Sequence, residues 1–124
     1  MPILLIALGG AAGAVARYAM DVTIATRLDG AFPWGTFAVN LTGSFALGLL
    51  FALVVEREVL PAATRGPLLI GFLGAFTTFS TLMLESWRLW EDGAVMLALG
   101  NLVGSMVLGV VALVAGLALG RALA

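Results

Sequence analysis

The chain has no cysteine, no histidine and no lysine, and charged residues make up only 10% of its 124 positions. Without cysteine there is no disulfide and no thiolate metal site; without histidine the usual imidazole ligand and proton shuttle is missing. Hydrolase-type catalysis is hard to build from what remains. The six basic residues, all arginine, face seven acids for a net charge of −1, so no basic patch for nucleic acid exists. Soluble domains carry roughly a quarter charged residues. With 62% hydrophobic residues and a mean hydropathy of +1.15, this chain reads as a membrane protein.

About 20 mainly apolar residues are needed to cross the hydrocarbon core, and four stretches qualify. The first runs from about Ile3 into the twenties and carries Arg17 and Asp21; the others lie within residues 30–55, 66–84 and 93–120. The beginning, Met-Pro-Ile-Leu-Leu-Ile, lacks a basic n-region and is followed by three more apolar segments, so it reads as a permanent span rather than a cleaved signal. Pro33 suits the first turn of the second span; Pro61 and Pro67 bracket the second loop and the entry to the third. One all-α, four-helix transmembrane domain over residues 1–124 is expected.

With four spans, Arg57, Arg65 and Arg121 fall on one side and Arg27 and Arg88 on the other, with Arg17 near that second side. Three against three gives the positive-inside rule almost nothing to act on, so insertion both ways up is open. Trp34, Trp87 and Trp90 all fall at the loop 1 and loop 3 side. An antiparallel pair would supply an aromatic belt at both interfaces; a single orientation with a lopsided belt is the alternative. Glycines four apart, at Gly9/Gly13, Gly100/Gly104 and Gly116/Gly120, allow close helix packing, within the chain or between copies.

Polar groups inside the spans are the informative minority. On the second span, Thr36, Asn40, Gly43 and Ser44 share one helical face. The Asn40 amide can donate to an anion while protein holds its oxygen; helix–helix glue is the competing role. Asn101, Ser105 and Gly109 repeat a spacing of four on the last span. Arg17 lies roughly 20 Å along its helix, where it can anchor at the interface, balanced by Asp21 one turn on, or line a positive vestibule. Glu85 and Arg88, three apart, read as an interfacial ion pair.

The third span holds the densest cluster, Gly-Phe-Leu-Gly-Ala-Phe-Thr-Thr-Phe-Ser-Thr-Leu over residues 71–82. A hydroxyl in hydrocarbon is unfavourable unless partnered, and Thr77, Thr78, Ser80 and Thr81 can satisfy backbone groups freed by a local break after Gly71 and Gly74. Carbonyls released at such a break are hard ligands, and with no carboxylate nearby they suit a monovalent cation. The Phe79 ring edge, partially positive, can face an anion; a packed or lipid-facing ring is the plainer reading.

Taken together, Gly9-Gly10 through Arg17, Gly35-Thr36 with Asn40-Leu41-Thr42-Gly43-Ser44-Phe45, Gly71-Phe72-Leu73-Gly74 with Thr77-Thr78-Phe79-Ser80-Thr81, and Asn101 to Ser105 resemble the Fluc (CrcB-type) fluoride channels over nearly the whole chain. The resemblance implies a dual-topology antiparallel homodimer in the cell membrane, with two pathways exporting fluoride passively and a central structural Na+. It puts the sodium carbonyls on Gly74 and Thr77, the pathway on Asn40, Phe79, Ser80, Thr81, Thr36 and Ser105, and a vestibule at Arg17. Leu82 stands where the family commonly has a second phenylalanine. The implied partners are fluoride, the lipid bilayer and a second copy of the chain. The rivals are a small dual-topology proton-coupled drug or cation exporter, which needs a deep titratable acid, and a non-transporting assembly subunit.

Overall fold

The computed structural model describes residues 2–124. Apolar runs bounded by turn-forming residues produce helices α1 (Pro2–Arg27), α2 (Trp34–Leu50), α3 (Gly74–Phe76), α4 (Phe79–Glu91) and α5 (Val95–Leu123). π-Helical segments extend α2 (Phe51–Glu56) and precede α3 (Gly66–Leu73), and a 3₁₀ turn covers Ala62–Thr64. Four apolar segments are long enough to cross a membrane: Pro2–Arg27, Trp34–Glu56, Ala62–Glu91 and Val95–Leu123. The shortest has 23 residues, which at about 1.5 Å per residue spans the roughly 30 Å core. This is a multi-pass, all-helical membrane protein.

The connections are built from residues that stop helices. Gly30 (φ 121°) and Gly93 (φ 80°) turn the first and third loops in left-handed conformations that a side chain resists. Pro33 is the residue immediately before α2, and Pro67 sits in the first turn of the Gly66–Leu73 segment, where a missing amide is tolerated.

Small residues set the packing. A methyl on Gly9 would collide with the Pro67 carbonyl and one on Gly13 with that of Phe72, so α1 lies backbone-to-backbone along the Gly66–Leu73 segment. On the other side of the molecule, methyls on Gly48 and Gly116 would strike the Leu113 and Phe45 carbonyls, which locks α2 to α5. Gly100 meets nothing within 4 Å, so the Gly100/Gly104 pair does not form such a seam within the chain. Few side chains are wholly enclosed, among them Val39, Val54 and Asn101. Outward faces instead present Val103, Met106, Val107, Val110 and Val111, as a lipid solvent allows.

The expected Glu85–Arg88 and Arg17–Asp21 pairings do not form. Among the described residues the ion pairs are Arg121–Glu56, with Nε and Nη2 each 2.9 Å from a carboxylate oxygen, and Arg65–Glu58 at 3.7 Å. Spacing along a helix favours a pair but does not outweigh tertiary placement: Asp21 is drawn onto Gly35 at the start of α2. Arg121 closes α5 onto the end of the second span.

Candidate functional site at the interrupted third span

Helical geometry lapses at Thr77 (φ −82°, ψ 156°) and Thr78 (φ −146°, ψ 118°) and resumes at Phe79. Local chemistry accounts for the stop. The Thr77 hydroxyl donates to the Leu73 carbonyl at 3.0 Å, back-bonding that bends helices. Thr78 then acts as the N-cap of α4, its Oγ1 accepting from the Thr81 amide at 3.4 Å while its hydroxyl bonds the Thr81 hydroxyl at 3.0 Å. Gly43 makes room for this segment, because a methyl there would strike the Thr77 side chain.

Asn40, on α2, reads the interrupted backbone with both ends of its amide. Its Oδ1 accepts from the Thr78 N–H at 2.8 Å and its Nδ2 donates to the Thr78 carbonyl at 3.0 Å. One of the two Nδ2 hydrogens remains for another acceptor. In an unbroken helix the Gly74 carbonyl would take the Thr78 amide and the Thr77 carbonyl the Thr81 amide. Both amides are engaged elsewhere, so both carbonyls lose their helical donors. Arg17 donates from Nε to the neighbouring Ala75 carbonyl at 3.4 Å. Released carbonyl oxygens are hard donors of the kind that can ligate a cation.

Beside the interruption lies a cavity of about 590 Å³ whose wall includes Asn40, Ser44, Thr77, Phe79, Leu82 and Ser105. The Phe79 ring is 75% exposed and packs little within the chain, whereas Leu82 is 7% exposed. Ser105 Oγ is buried without a hydrogen-bond partner. Of the other sequence-derived candidates, Gly74 also lines this cavity, while Thr36 is buried in α2, Thr81 is taken up by the Thr78 cap, and Ser80 is exposed on α4. Arg17 lies off the cavity wall, with its Nε on the Ala75 carbonyl.

Thr78 is the residue that sequence reasoning undervalued. Its signal was present, since Thr is among the residues favoured as a helix N-cap. The fully buried Asn101, which donates to Ser86 Oγ at 2.8 Å, had no local signal for that partner. A second cavity, of about 380 Å³, opens near the first and third loops between Asp21, Trp34, Glu85 and Arg88.

The sequence pattern of the family described as CrcB-like protein, Camphor Resistance (CrcB), matches residues 4–117. The chain belongs to the CrcB family. One relative, the "Fluoride-specific ion channel FluC" of Magnetococcus marinus, is 50% identical over 121 residues, covering 98% of each chain. Proteins of the same name from Solidesulfovibrio magneticus (49% identical, 94% of this chain and 93% of the relative) and Paracoccus denitrificans (48%, 95% and 93%) match over nearly their whole length. These CrcB relatives carry the name of a channel, not of an enzyme.

Proposed function

We propose that this CrcB protein is a fluoride-selective channel, working as an antiparallel homodimer that passes fluoride down its electrochemical gradient through two pathways. The observation that carries this reading is the meeting, around one cavity, of Asn40, the exposed Phe79 ring and Ser105, whose buried hydroxyl has no partner within the chain. Fluoride is small and tightly hydrated, so its water must be replaced by close donors. An amide N–H, a hydroxyl and the positive edge of a ring supply them. Names borne by relatives about half identical over nearly the full chain point the same way.

Sodium at the centre of the dimer, held by the Gly74 and Thr77 carbonyls, belongs to the same proposal. One chain offers two such oxygens and a pair offers four, and a fixed cation there offsets the unfavourable placement of an anion at membrane depth. No carboxylate lines the large cavity, which weighs against a proton-coupled exporter. An interior-negative potential favours an anion's departure by about 2.3 kcal/mol per 100 mV, so export needs no coupled ion or ATP.

Reconstituting the purified protein into fluoride-loaded liposomes and following efflux with an electrode tests the function; vesicles that retain fluoride reject it. The absence of native cysteine makes topology accessible too. A Glu58→Cys variant is expected to be labelled about half from outside and half from inside intact cells. Labelling from one side alone rejects the antiparallel assembly.

A further inference from the structure

Arg17 makes a contact that a vestibule charge does not require. Gly9, Gly13 and Arg17 are successive members of one stripe on α1, each four residues after the last. Each meets a backbone carbonyl of the third span, in order: Pro67, Phe72 and Ala75. The first two contacts are close because glycine has no side chain. The third, at the step before the interruption, is a hydrogen bond from Arg17 Nε to the Ala75 oxygen at 3.4 Å. An intact helix would have given that carbonyl the Phe79 amide, but the extended backbone at Thr77 and Thr78 intervenes.

We infer that Arg17 is a positioning residue of the interrupted helix, its guanidinium replacing the lost helical donor of Ala75 and so holding the Gly74–Thr77 carbonyls in their released arrangement. Asn40 fixes the segment from the α4 side through Thr78, and Arg17 fixes it from the α3 side through Ala75. Of the carbonyls proposed above for sodium, that of Thr77 lies between these two clamps and that of Gly74 is the one immediately before Ala75. A half-buried guanidinium is well suited to this task, since it is weakly hydrated and donates in a fixed plane. The glycine seam brings the side chain into register, so α1 sets the geometry of a site to which it contributes no pathway residue.

This inference rests on the channel reading only for its flux arm; the backbone arm stands without it. Arg17→Met in the full-length protein keeps the aliphatic length and removes donor and charge. Hydrogen–deuterium exchange over residues 77–81 is expected to accelerate about tenfold, the effect of losing one charge-assisted hydrogen bond, with residues 113–117 at the α2–α5 seam unchanged. In liposomes the maximal fluoride rate is expected to fall about tenfold while the half-saturating concentration stays within about twofold. Arg17→Lys, which keeps a cation and a donor, is expected to restore protection to within about threefold of wild type. Unchanged exchange in Arg17→Met overturns the inference, as does a raised half-saturating concentration with an unchanged maximal rate, the signature of a vestibule charge. If Arg17→Met does not fold, Arg17→Gln, shorter and neutral, is judged by the same readouts. A wild type that passes no fluoride rejects the channel reading and leaves the exchange comparison to decide the role of Arg17.

Discussion

Asn40 and Thr78, 38 residues apart, hold each other through two hydrogen bonds, 2.8 Å to the Asn40 oxygen and 3.0 Å from its nitrogen. The side-chain amide thus substitutes for a neighbouring peptide where the third span stops being helical. Helix glue and pathway donor, alternatives at the level of sequence, are compatible in one group, because an NH2 has two hydrogens.

Asn40→Ala removes both bonds and leaves the Thr78 N–H and carbonyl without that partner. The expected loss is about 1–3 kcal/mol in a thermal or denaturant assay in detergent, with fluoride flux lowered by at least about tenfold. Wild-type flux in this variant would remove Asn40 from the pathway.

Phe79→Ile changes a ring that the chain leaves 75% exposed. Stability of the chain is expected to move by less than about 0.5 kcal/mol, since no enclosed packing is lost. Flux is expected to drop sharply, because an aliphatic group offers an anion no positive edge. Parallel melting and efflux measurements separate the two effects.

The glycines divide into positions that touch backbone and positions that do not. Gly13→Ala forces a methyl into the Phe72 backbone and is expected to destabilise by about 1–3 kcal/mol. Gly100→Ala, with nothing within 4 Å, is expected to be neutral or to gain up to about 1 kcal/mol from helix propensity. Melting temperatures in the same detergent check the contrast.

Ser86 and Ser105 offer a similar pair. Ser86→Ala leaves the Asn101 Nδ2 unpartnered in a fully buried site and is expected to lower stability by about 1–3 kcal/mol with little effect on flux. Ser105→Ala removes a hydroxyl that has no partner, so stability is expected to hold within about 0.5 kcal/mol while flux declines. The opposite pattern would move the pathway from Ser105 to Ser86.

What the sequence revealed, and what it hid, follows from the range of the forces involved. Four spans are legible because run length and the placement of Pro33, Pro67, Gly30 and Gly93 are local properties. The hydroxyls at Thr77 and Thr78 stand out against an apolar background for the same reason. The π-helical stretches at Phe51–Glu56 and Gly66–Leu73 left no trace, since segments apolar on every side show little periodicity to read. Charge pairing was misread from spacing: Glu85 and Arg88 are neighbours on a helix, yet Arg121 reaches across 65 residues to Glu56. Arg17 was visible as a cation within the first span, read as an interfacial anchor or vestibule charge, but its Ala75 partner depends on the Gly9–Gly13 seam and so on the tertiary fold.

The central claim is selectivity, and the most direct measurement is fluoride efflux compared with chloride efflux from identical liposomes under a potassium diffusion potential. The expected result is rapid fluoride loss on adding ionophore, with chloride loss no faster than from protein-free vesicles. Equal loss of both anions, or of neither, would contradict the account.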